Sequence, residues 1–180
     1  KRLFENKEID VILSRPISRV SIVVAMIVGF YLLFLITLIP ISIVLLLILK
    51  VKIISSLVWL LTVALEGFVV CCASLFFGLF IQSSVHTMIM CFAFYLLARG
   101  VGSFVAYIEL GLSTSTYQMA ASTLKICSIF IPRLDLFGKT SILLYNDYAL
   151  NSILICIAQA LVFGGLLSFG SIFEFRKKQF

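Results

Sequence analysis

The sequence predicts an all-α protein, a polytopic bundle of transmembrane helices, and three observations carry that expectation. Hydrophobic residues make up 62% of the 180 and charged residues only 12%, with a mean hydropathy of +1.21, whereas soluble domains run near half apolar and a quarter charged. The apolar runs are longer than the roughly 20 residues that cross a hydrocarbon core. Most of the remaining basic residues sit at the two ends of the chain.

Residues 1–19, KRLFENKEIDVILSRPISR, differ from everything after them. Glu5, Lys7, Glu8 and Asp10 interleave with Leu3, Phe4, Ile9, Ile12 and Leu13 at spacings of three and four, which puts an apolar stripe on one side of a helix. Pro16 cannot continue that helix without losing a backbone bond and clashing with the preceding turn, so it should stop near Ser14. An amphipathic element of this kind lies at the water boundary or in a partner's groove.

Four spans are expected, at about 20–49, 56–80, 85–110 and 149–173. The first apolar run covers some 30 residues, about 45 Å at helical rise, which exceeds the bilayer core and calls for tilt or for a bend at Pro40. Lys50 and Lys52 end it. Ser55 and Ser56 begin the second span, with Trp59 near its start, where an indole prefers the interface. Gln82, Ser83 and Ser84 form a short polar turn, so the second and third spans make an antiparallel hairpin. Residues 111–148 form an external segment. Tyr117, Ala120, Ala121, Leu124, Cys127 and Ile131 repeat at helical intervals after Ser and Thr caps, suggesting a short interfacial helix that Pro132 stops. Arg133 to Lys139 reads as a loop with a local Arg133–Asp135 pair, and a second short apolar piece reaches Tyr145. In the last span Gly164, Gly165 and Gly170 permit close helix approach, and residues 174–180 form a tail.

Lys1, Arg2, Lys7, Arg15 and Arg19 flank the first span, and Arg176, Lys177 and Lys178 flank the last. Four spans put both ends on one side, and the positive-inside rule makes that side the cytoplasm, with Lys50 and Lys52 outside against the rule. The net charge of +6 follows from this topology; no aromatic-interleaved basic face points to nucleic acid.

Glu66 and Arg99 fall mid-span in the second and third helices, where a lone charge costs roughly 3 kcal/mol on insertion scales. Both lie about 16 residues from the Gln82 turn, or about 25 Å at helical rise, and therefore level with one another. A buried Glu66–Arg99 ion pair is expected, acting as a staple for the hairpin or as a polar element on a substrate path. His86, beside the turn, has no second His or Cys at ligand spacing. The five cysteines, Cys71, Cys72, Cys91, Cys127 and Cys156, lack zinc-binding spacings and read as small buried hydrophobes. No Gly-rich phosphate loop, His-Glu-x-x-His or Gly-x-Ser-x-Gly is present, so neither an enzyme nor a cofactor of its own is expected.

The run Glu5-x-x-Glu8-Ile9-Asp10-x-x-Leu13-Ser14-Arg15-Pro16-Ile17-Ser18-Arg19, followed at once by a long apolar segment, resembles the cytoplasmic coupling segment of ABC-2-type transporter permeases. Members carry an acidic helix and then a Leu-Ser/Ala-x-Pro-Val-Ser-Arg-like turn. The order of apolar segments and the closing Phe173 to Phe180 (FEFRKKQF) extend the resemblance, while Ala25-Met26 stands where members often have Gly-Lys. The resemblance implies six spans in the family, so that two helices would precede Lys1. It also implies that Glu5, Glu8, Ile9, Asp10, Ile12, Leu13, Arg15, Pro16 and Arg19 form the ATPase-coupling element. The chain would be the permease subunit of an exporter in the bacterial inner membrane. Expected partners are a separate ABC ATPase that binds ATP and Mg, a second permease copy and membrane lipid. A haem-exporter-like or accessory membrane subunit and a polytopic membrane enzyme are the alternatives.

Overall fold

The structure, a computed structural model, describes residues 18–49, 52–81, 83–109, 131–145 and 150–177. The amphipathic stretch through Pro16, the interfacial helix expected near 117–131 and the end of the tail lie outside the described residues. Within them the fold is all-helical: α1 (Arg19–Leu49), α2 (Ile53–Phe80), α3 (Ser84–Glu109), a 3-10 turn (Leu134–Leu136), a short α4 (Thr140–Tyr145) and α5 (Leu150–Lys177). Three helices, over Val20–Leu47, Ile53–Phe80 and Leu150–Lys177, are long and apolar enough to cross a membrane, and Ser84–Gly100 is a shorter apolar helix. The protein is membrane-embedded by these measures. Many large side chains point outward, among them Leu33, Leu47, Met88 and Phe169, as a lipid-facing surface requires and a water-facing one penalises.

Helix α1 begins on a side-chain cap, the Ser18 hydroxyl accepting from Ser21 N–H at 3.2 Å, which satisfies one of the orphan donors of a first turn. It runs through Pro40 as one helix of 31 residues. Proline removes the bond that Ile36 C=O would accept; close by, Thr37 and Ser42 hydroxyls donate back to Phe34 and Ile39 carbonyls at 2.7 and 2.6 Å, the local bonding that favours helix bending.

Helix α2 is the centre of the molecule, packing against α1, α3, α4 and α5. A third of its apolar window is buried, twice the share in α1 and α5. Aromatic rings set into glycine notches fix its neighbours: Phe34 of α1 lies over Gly67, Phe68 of α2 lies over Gly164, and Phe76 lies over Gly170, where an added Cβ would meet the ring at 3.0 Å. The α5 glycines thus admit rings rather than a second backbone, and Gly165 faces open space. Edge-on pairs Tyr31–Phe68 and Phe77–Phe94, with centroids 5.5 and 5.8 Å apart, add geometry that aromatic quadrupoles favour.

Two cores result. Val23 and Ile27 of α1, Cys72, Leu75 and Leu79 of α2, and Phe175 of α5 form one cluster. The start of α1, the end of α2 and the end of α5 therefore lie at one end of the bundle. The other cluster joins Val69, Ala98, Cys156 and Ala160 to Leu134 and Phe137, so the 3-10 turn before α4 is part of the interior.

Two boundaries differ from the hydropathy reading. Helix α2 starts at Ile53 and α5 continues to Lys177, because a helix extends past the hydrocarbon region that hydropathy detects; Arg176 and Lys177 also favour the negative end of α5. Trp59 sits two turns inside α2 with its indole N–H buried and unpartnered among the described residues.

Candidate functional site

The expected coupling residues Glu5, Glu8, Ile9, Asp10, Ile12, Leu13, Arg15 and Pro16 lie outside the described residues, and Arg19 opens α1. His86 is exposed near the start of α3, and Glu109 is the last residue of that helix. The described polar side chains that converge are in the middle of the bundle.

Arg99 of α3 donates from Nη1 to Glu66 Oε1 at 2.8 Å. Glu66 lies 13 residues into α2, about 20 Å from its start, and only 10% of its side chain is exposed, against 41% for Arg99. Helices α2 and α3 carry these residues near mid-length, and each charge answers the desolvation of the other. The same Arg99 Nη1 donates to Leu134 C=O at 3.3 Å. One guanidinium therefore links three chain segments.

The loop expected over Arg133 to Lys139 is not peripheral. Pro132, Leu134 and Phe137 are buried, and the segment reaches the depth of Glu66: a Cβ on Gly138 would stand 3.3 Å from Glu66 Oε2. Irregular backbone at membrane depth must find its hydrogen bonds within the protein, and this segment does. Its 3-10 turn supplies Leu136 N–H to Arg133 C=O and Phe137 N–H to Leu134 C=O, each at 3.2 Å. Leu136 C=O accepts from the Cys156 thiol at 3.5 Å, and Gly138 N–H donates to Thr62 Oγ1 at 3.3 Å. Gly138 has a φ of +57°, a left-handed conformation that glycine adopts without the steric cost of a Cβ, and there the chain turns into α4.

A second pair stands beside the first. Arg133 Nη2 donates to Asp135 Oδ2 at 3.2 Å, and the Asp135 carboxyl rests on Gly102, at a point where any Cβ would overlap it. Gly102 is one turn beyond Arg99, so both carboxylates meet the same stretch of α3. Asp135 Oδ1, Arg133 Nε and Gln159 Oε1 are buried without a hydrogen-bond partner among the described residues, which marks this part of the bundle as polar beyond what its own pairs satisfy.

Sequence spacing points to Glu66 and Arg99. It gives no sign that Leu134 C=O and Thr62 complete the cluster, because both act through backbone contacts between segments 35 and 76 residues apart. The alternation Arg133-Leu134-Asp135-Leu136-Phe137 is the one available signal: two opposite charges set among three large apolar residues suit a buried turn better than a solvated loop. Among the described residues no three His, Cys, Asp or Glu side chains gather where a metal could bind. No protein-family model, no curated protein and no solved structure matches the chain.

Proposed function

We propose that the chain is the permease subunit of an ABC exporter, moving its substrate across a bacterial inner membrane with energy from ATP hydrolysed on a separate subunit. In this reading α3 is a fourth span, since 26 residues rise about 39 Å, and both ends of the chain are cytoplasmic. Residues 5–14 form a coupling helix whose Ile9, Ile12 and Leu13 fill an apolar groove of the ATPase, while Glu8, Asp10 and Arg15 pair with its charges. Two permease copies then flank a central pathway.

The observation that carries the reading is the acidic amphipathic stretch and its Leu13-Ser14-Arg15-Pro16 turn, joined with two residues between to Arg19, the first residue of α1. What that junction would do mechanically follows from packing. Val23 and Ile27, in the first turns of α1, lock against Cys72, Leu75, Leu79 and Phe175. A displacement applied before Ser18 is therefore shared by α1, α2 and α5 at once, because close-packed interiors transmit strain rather than absorb it. Closure of the ATPase would move that end of the bundle as a unit. The Glu66–Arg99 cluster lies at the opposite side of this core and holds the bundle together while it moves.

The test is co-purification with an ABC ATPase sought in the neighbouring reading frames, with ATPase stimulation as the readout. Ile12→Asp should abolish both association and stimulation while leaving the permease in the membrane. Unchanged association in that variant refutes the coupling role. Loss of transport with coupling intact would instead favour an accessory subunit.

A further inference from the structure

The buried turn from Pro132 to Gly138 is tied to three helices at alternate residues. Leu134 C=O accepts from Arg99 of α3 at 3.3 Å, Leu136 C=O accepts from the Cys156 thiol of α5 at 3.5 Å, and Gly138 N–H donates to Thr62 of α2 at 3.3 Å. Helix α3 packs on α2 and on this turn, and makes no comparable contact with α5 among the described residues. The turn is therefore the wedge between α3 and α5. We propose that residues 132–138 form a latch, which lifts out as one body by rotation at Gly138, frees α3 from α5 and uncovers the Cys156 thiol.

Three observations point to a movable element. The turn carries its own bonds: Leu134 N–H reaches Pro132 C=O at 3.0 Å, the two 3-10 bonds close at 3.2 Å, and Arg133 pairs with Asp135. A segment connected in this way can leave its site without unravelling. Its ties to the helices are weaker, since two of them exceed the usual limit of about 3.2 Å for an N–H···O bond and the third comes from a thiol, a weak donor. The closed position also leaves Arg133 Nε and Asp135 Oδ1 shielded and unpaired among the described residues, a cost that lifting relieves by exposing both atoms to polar surroundings. Burial of Leu134 and Phe137, both 0% exposed, opposes the movement and keeps the closed state dominant. Gly138 sets the pivot: its φ is +57°, and Lys139 and Thr140 after it are exposed, so rotation there displaces no core. The Cys156 side of α5 lies under Leu136, and the residue is 1% exposed. A reagent reaches that thiol only when the turn has lifted or the bundle has unfolded. The inference does not depend on the transporter reading.

Cysteine labelling separates those two routes. Full chains keeping a single cysteine, Cys156 or Cys72, with alanine at the others, are held in mild detergent, and their reaction with N-ethylmaleimide is followed by mass spectrometry. Cys72 is as deeply buried, at 0% exposed, but lies in the other core against Val23, so it reports opening of the bundle itself. Cys156 should label faster than Cys72, because a partial opening costs less than unfolding. Val23→Ala leaves a cavity in the other core; it should speed labelling of Cys72 and leave Cys156 unchanged, since the latch lifts with that core intact. Thr62→Val loses the tie to Gly138 and should speed Cys156 about five-fold, the factor that one ordinary hydrogen bond is worth. Gly138→Ala should speed it too, because the new Cβ would stand 3.3 Å from Glu66 Oε2 and Val63 Cγ2 at a positive φ. A Cys156 rate that rises in step with that of Cys72 in Val23→Ala would show that only unfolding uncovers the thiol and would overturn the proposal. Parent-like rates in both Thr62→Val and Gly138→Ala would overturn it as well. Should these variants fail to fold, the two single-cysteine chains decide the matter alone, equal labelling of Cys156 and Cys72 refuting the latch.

Discussion

Replacing Arg99 by Met keeps the volume of the side chain and removes every hydrogen bond it makes. Glu66 is then left buried, with 10% of its side chain exposed, and Leu134 C=O loses its donor. Breaking a buried pair from one side costs about 3–5 kcal/mol. Arg99 is 41% exposed, so its share of the electrostatics is screened and the lower bound applies, about 3 kcal/mol with the Leu134 bond included. Glu66→Gln should cost less, about 1 kcal/mol, because Arg99 keeps its bond to Leu134 and can still donate to the amide. The double variant leaves no unpaired charge and should be more stable than the sum of the two losses predicts, by about 1.5 kcal/mol. Reversible unfolding in mixed micelles, followed by circular dichroism for the four proteins of the cycle, measures this. Single-variant losses that add within about 0.5 kcal/mol would refute the claim that the two charges are energetically one unit.

Three other outcomes are expected. Thr62→Val removes the acceptor for Gly138 N–H together with the hydroxyl's own bond to Trp59 C=O at 2.8 Å and should destabilise by about 1–2 kcal/mol, with Thr62→Ser restoring most of the loss in the same unfolding measurement. Gly102→Ala must displace the Asp135 carboxyl and should cost about 2 kcal/mol, while Gly165→Ala, facing open space, should be neutral or slightly stabilising. Single cysteines placed at Ser83 and at Lys177 should react with an impermeant maleimide from the same side of sealed vesicles, and one at Lys52 from the opposite side; labelling of all three from one side would contradict the packing of α2 against α5.

Composition and apolar run length made the membrane bundle legible, since hydropathy reports directly on the medium a helix tolerates. Glu66 and Arg99 were legible for the same reason: a charge that the medium penalises must be answered by another. The helix ends were less so. Ser55 and Ser56 read as the start of the second span, yet α2 already begins at Ile53 and both serines are buried in its first turn. The segment from Pro132 to Gly138 was least legible, since its depth depends on bonds from Arg99, Thr62 and Cys156. Those partners are fixed by tertiary packing, and no local periodicity encodes them. Leu134 and Phe137 announce burial, but not beside which helix.

The inner charges also determine how the protein responds to voltage. Glu66, Arg99, Arg133 and Asp135 sum to zero, and each cation sits against its own anion at 2.8 or 3.2 Å. The membrane potential does about 2.3 kcal/mol of work per elementary charge carried across 100 mV, so it does none on a neutral group displaced whole. A resting potential therefore does no net work on these two pairs while each stays closed and moves as a unit. These four charges feel the field when a movement draws a guanidinium away from its carboxylate along the bilayer normal.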